Sequence, residues 1–439
     1  MTSSDEDFSK PYRLQYQLGV YLATNAMKDA YAVIDGPDCL FRKAEWVHGK
    51  HDLSSTLLDV LGNHRIVSTL VNAEAVIKDR GEMVSERIKQ VAKIPGAASV
   101  FVCAMPHVMI IGTQYDRILR SLEDAVPMKL MEVPSLSLQG CHLDGYSECL
   151  AALAAKIDVS GAVPDFTKVA IVGHFMHRNE ADGLADIDEI HRLVHGLDLD
   201  VASLWLSGNR YTELSAAKDA GTIVALPLGR KAARILAART GAQVLDCPVP
   251  IGPARTRRFL LEIARATGRM QAFGSFVDDE LRRAVPRLEW AVRHLFFGRR
   301  VAFAANPDLL AGLYSLATEV GIQVELLATM GRPEHVGEDL ASDLPPGTEL
   351  LFSPSERALT SLHRRLRERG ELDAILGDSH FLSLFGQTPH ALELGFPSHF
   401  EHALFERPTL GFRGWLCLLD RLGQILGRRP GVIRNRRSA

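Results

Sequence analysis

The chain has 439 residues, enough for two or three domains. It is 46% hydrophobic and 23% charged with a formal net charge of −3, values of an ordinary globular protein with no whole-chain attraction to nucleic acid or to a membrane. Its apolar runs all fall short of the ~18–20 residues that span a bilayer. The start, MTSSDEDFSK, is acidic and polar rather than a secretory signal, so a cytoplasmic protein is expected.

In chain order, residues 1–17 read as irregular or loosely helical. Short β-rich runs then alternate with longer amphipathic segments. The first group of runs is Ala30–Ile34, Arg65–Leu70, Ser99–Cys103 and Lys129–Val133. The second is Lys168–Val172, Val201–Leu206, Thr222–Leu226 and Gln243–Asp246. The third is Arg300–Ala304, Gln323–Leu327, Glu349–Phe352 and Asp373–Leu376. Runs of this length, rich in Val, Ile, Leu and Phe, suit strands buried on both faces.

Helical patterns are expected over 74–92, 107–121, 143–156, 187–195, 231–240, 256–267, 278–295, 308–320, 355–369 and 411–426. Asn306-Pro307-Asp308 and Ser353-Pro354-Ser355-Glu356 mark two helix starts, and Gly241 and Gly321 mark two ends. Strands alternating with helices imply right-handed βαβ units on parallel sheets. The expected division is 1–160, 161–297 and 298–439. The basic tail Arg428–Arg437 reads as a solvated terminus.

Nucleotide and nucleophile signatures are absent: there is no G-x-x-x-x-G-K-[ST], no G-x-G-x-x-G and no G-x-S-x-G. Pro227–Lys231 reads as a basic loop before a helix, with anion binding as the alternative. Ser207 and Ser379 read as turn residues. His174/His177 and His399/His402 read as surface or packing histidines, with metal ligation as the alternative.

Six cysteines stand at 39, 103, 141, 149, 247 and 417, with no C-x-x-C pair. In a cytoplasmic chain they do not form a disulfide framework. Cys149 and Cys417 lie in helix patterns and read as core. Cys141 and Cys247 end a loop and a strand, as structural residues or as ligands. Cys39 and Cys103 each follow a strand and precede turn or helix-start residues. There, backbone N–H groups favour a thiolate, and iron–sulfur clusters are held by such thiolates. From the residues alone, both a structural role and cluster ligation stay open.

Taken together, the strand-end motifs resemble nitrogenase component 1 and nitrogenase-like reductases, most closely the β subunit of the molybdenum–iron protein. Gln17-Leu18-Gly19 followed by Gly36-Pro37-Asp38-Cys39 is similar to the family's P-L-G segment and cluster-ligating turn. Cys103 with Ile111-Gly112 is similar to the second ligating cysteine and its sequel. Pro134-Ser135 with His142–Tyr146 is similar to P-S-F-x-G-S-H-x-x-G-W. Gly298-Arg299-Arg300 and Asn306-Pro307-Asp308 match the family's G-K-R strand and D-P-D helix start. Gly395-Phe396-Pro397 with Thr409–Gly414 matches the closing G-F-P…T-x-G-Y-x-G.

The sequence departs from that pattern at three places. Gln15, beside Tyr16, stands where the β subunit has a third cysteine. Thr113-Gln114 replace two acids. Val224–Pro227 lacks the α subunit's cofactor-anchoring cysteine.

The resemblance implies three Rossmann-like α/β domains, each a roughly four-stranded parallel sheet flanked by helices. It implies an iron–sulfur cluster, [4Fe–4S] or P-cluster-like, shared with a homologous subunit in a heterodimer or heterotetramer. It also implies a separate ATP-dependent iron–sulfur reductase as electron donor. Cys39 and Cys103 would be the metal ligands, Gly36 would shape the turn, and Ser135 or Gln15 would support a remaining ligand position. The expected function is electron relay in a two-component reductase; the alternative is a non-catalytic metallocluster scaffold.

Overall fold

Apolar runs of four to eight residues pair in parallel because helices cover both of their faces. A computed structural model describes residues 9–59, 61–72, 80–134, 136, 139–336, 340, 344, 349–368, 372–384 and 390–427. Among the described residues the strands are β1 (Ala30–Asp35), β2 (Ile66–Ser68), β3 (Ser99–Ala104), β4 (Lys129–Glu132), β5 (Asp165–Val172), β6 (Asp200–Leu204), β7 (Ala220–Ala225), β8 (Gln243–Asp246), β9 (Arg300–Ala304), β10 (Gln323–Thr329), β11 (Glu349–Phe352), β12 (Ala374–Gly377) and β13 (Ala391–Glu393). β1, β3 and β7 are buried along their whole length.

The strands form three parallel sheets, ordered β2-β1-β3-β4, β6-β5-β7-β8 and β11-β10-β9-β12-β13. All twelve expected strands are present. β13, three residues long, adds a fifth strand to the last sheet. In each sheet the opening strand sits inside and the order reverses beside it. This puts a crevice at the carboxyl ends of β1/β3, β5/β7 and β9/β12. Register brings Ile34 opposite Cys103 and Asp35 opposite Ala104.

Several helical details differ from the sequence reading, among them that Met270–Ala291 starts eight residues before the expected 278 and that Ser379, read as a turn residue, opens the short helix Ser379–Ser383. Tyr16–Asn25 is a regular helix with every residue buried. The pattern over 107–121 is two helices, Pro106–Met109 and Tyr115–Leu122, parted where Gly112 takes φ 73°. Leu40–Val47 adds a helix after the Cys39 turn. The helix expected from residue 74 is described as Gly81–Val91. Asn306, with Pro307 at the first helical position, and the left-handed Gly241 and Gly321 mark helix ends as expected. The basic tail from Arg428 and residue Ser135 lie outside the described residues.

Two glycines set how the first helix packs. A Cβ on Gly19 would lie 1.9 Å from the His142 carbonyl oxygen, and one on Gly145 would lie 2.2 Å from that of Tyr16. Helices Tyr16–Asn25 and His142–Lys156 therefore cross backbone to backbone. That crossing carries Gln15 into an antiparallel bridge with Cys141.

Candidate functional site

The crevice of the first sheet holds the cysteines singled out from sequence. β1 ends at Asp35, whose buried carboxylate is fully engaged. It accepts from Thr69 Oγ1 at 2.6 Å, Arg80 Nη2 at 2.8 Å and Tyr115 OH at 2.7 Å. Thr69 Oγ1 also accepts the Gly36 N–H at 3.0 Å, which pins the turn. The open face of Gly36 is covered by Met105, whose Sδ would lie 2.5 Å from an added Cβ.

Cys39 follows on the surface at the N-cap of Leu40–Val47. Cys103 is 1% exposed on β3. Near both, the Tyr21 hydroxyl is buried with no hydrogen-bond partner among the described residues. Burial first, and then the nearby Cys103 and Cys39, hold its proton on. An orphaned O–H beside two thiols is a local fit for a sulfur-rich group. Gln15 is exposed at the start of its helix, and the side-chain position of Ser135 is not described. Cys149 is fully buried, Cys417 is half-buried, and burial pushes the Cys247 thiol up to about 12.

The histidines expected to pack do so. His51 Nε2 bonds the His177 carbonyl at 2.9 Å, and its Nδ1 accepts the Ser398 N–H at 2.8 Å. His399 meets the edge of Trp46 at 4.9 Å, and His402 Nδ1 lies 2.8 Å from Glu180. His174 and His399 each have a buried Nε2 without a partner among the described residues, and burial lowers the His174 ring to about 4, so it is neutral.

His174 faces a cavity of about 140 Å³ where the carboxyl ends of the second and third sheets meet. Gly173, Pro227, Asn306 and Leu394 follow β5, β7, β9 and β13 into its wall, and Arg230, Asp308 and His335 bring charge to it. Burial raises Asp308 to about 6 despite Arg255, Arg230 and His335 nearby.

Beside this cavity lies a cluster joining the first and third sheets. Cys141 is the N-cap of His142–Lys156, and its N–H donates to Asp144 Oδ2 at 2.7 Å. His335, in the loop after β10, places Nε2 3.0 Å from Asp144 Oδ1 and Nδ1 4.0 Å from Cys141 Sγ. Arg332 Nη2 donates to Asp144 at 2.6 Å, and the Arg332 N–H donates to His335 Nδ1 at 3.1 Å.

Burial opposes charge on all three members, and mutual contacts overcome it. The thiol falls to about 6 under His142 and His335. The imidazole rises to about 9 under Asp144 and Cys141. Asp144 is held below the usual carboxylate range by His335, the Cys141 N–H and Arg332. Sequence reading reached Cys141 as a possible ligand but missed His335, whose one local sign is its place in a strand-end loop.

The sequence matches the model of nitrogenase component 1 type oxidoreductases over residues 17–426. The chain belongs to the nitrogenase component 1-type oxidoreductase family. A member of this family, it is 23% identical to the nitrogenase vanadium-iron protein beta chain of Trichormus variabilis, over 88% of this chain and 89% of that one. It is 24% identical to the nitrogenase iron-iron protein beta chain of Rhodobacter capsulatus, over 72% and 73%. A solved structure described as nitrogenase Cp1 at pH 6.5 superposes with a TM-score of 0.82 at 15% identity, over 97% of this chain and 94% of that one. At that identity the structural likeness speaks for the fold: three parallel sheets flanked by helices.

Proposed function

We propose that this chain is one subunit of a nitrogenase-like two-component reductase. In this reading Cys39 and Cys103 hold an iron–sulfur cluster at an interface with a homologous subunit. An ATP-dependent iron–sulfur reductase supplies the electrons. The observation that carries the reading is the crevice between β1 and β3. Cys39 follows β1 and Cys103 lies near the end of the adjacent β3, one thiol exposed and one buried, and the Tyr21 hydroxyl near both has no partner among the described residues.

When bound, such a cluster supplies one-electron carriage. The chain's own groups do the rest. The Asp35–Thr69–Arg80 network fixes the turn that presents Cys39. The Tyr21 O–H, near both thiols, would donate to a cluster sulfur, a contact of the kind that sets cluster potential. Gly36 keeps the turn close to β3. Ser135, Gln15 and the partner are the sources for remaining ligands.

The same reading divides the chain at 1–160, 161–297 and 298–439 and places it in the cytoplasm. Among the described residues, no helix is long and apolar enough to cross a membrane.

The test is anaerobic co-purification with the homologous subunit, followed by iron and sulfide analysis and EPR. Cys39→Ala and Cys103→Ala are each expected to lower iron content in the complex. Unchanged iron in both variants overturns the ligand assignment.

A second reading, a scaffold that assembles a metallocluster and passes it on, is favoured by one observation. Gln15, not cysteine, occupies the helix start beside this crevice. A cluster that transfers to an acceptor protein without reductive turnover selects the scaffold.

A further inference from the structure

We propose that Cys141, Asp144 and His335 form a binding site for a single zinc-class divalent ion, separate from the Cys39/Cys103 crevice. One donor atom from each of the three lies within 4.8 Å of the other two. Sulfur, nitrogen and carboxylate oxygen together are the donor set of zinc and its stand-in cobalt. Bond lengths of about 2.3 Å to sulfur and about 2.0–2.2 Å to nitrogen or oxygen put tetrahedral ligands roughly 3.3–3.7 Å apart. Asp144 Oδ1 lies 3.0 Å from His335 Nε2, just short of that range, and Cys141 Sγ lies 4.0 Å from the other ring nitrogen, Nδ1, so binding through one nitrogen needs a shift of the ring or the thiol.

With His335 Nδ1 accepting the Arg332 N–H, Nε2 carries the proton shared with Asp144, and an ion on Nε2 would displace that proton. The surroundings suit the exchange. Arg332 and the Cys141 N–H hold Asp144 from behind, as outer partners of metal-bound carboxylates do. Charge also balances. The thiolate, Asp144 and Glu334 are matched by the ion and Arg332, which pairs with Glu334 at 3.1 Å. Cys141 is fully buried, which closes it to a bulky substrate. His335 and Glu334 line the cavity, which offers an ion its route and a water its place as fourth ligand.

Two of the ligands come from the N-terminal end of His142–Lys156 and the third from the loop after β10. The ion would therefore pin the first sheet to the third at the mouth of the cavity. Nothing in this assignment uses Cys39 or Cys103.

The test is a cobalt titration of the full chain after chelator treatment, read by absorbance. One equivalent of Co²⁺ is expected to bring a near-ultraviolet sulfur-to-cobalt band and intense tetrahedral visible bands. Cys141→Ser keeps a good helix cap, so the fold, checked by circular dichroism, is retained while the sulfur band vanishes. His335→Gln is expected to weaken cobalt binding by about 10-fold or more, the loss that even outer-shell changes cause at metal sites. The Cys39→Ala/Cys103→Ala double variant should keep the band. Absence of the band in the wild type, or its survival in Cys141→Ser, overturns the proposal. A band lost only in the double variant also overturns it, and leaves the cluster reading to be judged by iron analysis.

Discussion

Asp35 and Arg80 form an ion pair in which both side chains are completely buried. Removing one partner leaves the other charge without water or counter-charge. Arg80→Met is therefore expected to cost about 3–5 kcal/mol, measured by urea denaturation. Removing both charges with Asp35→Asn should recover part of that loss. The Tyr21 hydroxyl poses the opposite case, a buried donor with nothing to bond. In the chain alone, Tyr21→Phe should be neutral or stabilising, by up to about 1 kcal/mol, because no bond is lost and a desolvated O–H is relieved. A clear destabilisation would mean the hydroxyl has a partner after all. In the proposed cluster-bearing complex the same variant should shift the cluster potential.

Elements meet where side chains allow. The crossing of Tyr16–Asn25 over His142–Lys156 leaves no room for a Cβ at Gly19 or Gly145, because the obstacle on each side is backbone. Gly19→Ala and Gly145→Ala should each cost about 1–3 kcal/mol or more, as overpacking does. Gly274, inside the helix Met270–Ala291, has nothing within 4 Å of an added Cβ. Gly274→Ala should be stabilising by up to about 1 kcal/mol through helix propensity alone. Thermal melts of the three variants separate crowding from propensity; equal shifts would sink the crossing argument.

Across the whole molecule, the N-terminal segment reaches over to the third sheet. Pro11 bridges Ser355, and the Tyr12 hydroxyl donates to Asp378, both side chains lying fully buried. Burial raises Asp378 from 3.8 to about 7, against the bonds from Tyr12 and the Phe381 N–H. Between those values the folded chain keeps a proton that the unfolded chain has released. Stability from this group therefore falls as pH rises through the window, and the penalty is complete above about 7. Asp378→Asn removes the titration. Its melting temperature relative to wild type should climb from pH 4 to pH 7 and then level off. A pH-independent difference would show that Asp378 ionises normally.

The strands were legible because a strand buried on both faces is a local run of apolar residues, whatever its neighbours. The motifs at strand ends were legible for a related reason. Cys39, Cys103, Asn306 and Gly411 stand where a run of one period stops and another begins. The helix Tyr16–Asn25 was not legible: it is buried on every side, so its sequence carries no polar face for a 3.6-residue period to reveal. β13 is too short for any period. The break at Gly112 needed a left-handed turn that an unbroken apolar pattern conceals.

What the sequence alone determined was the family, the α/β alternation and the placing of two cysteines at strand ends. Tertiary structure alone decided that His335 meets Cys141 and Asp144 across 194 and 191 positions, and that the carboxyl ends of the second and third sheets enclose one cavity. Periodicity reports how a segment is buried. Which segment buries it follows from sheet order and from the contacts between domains.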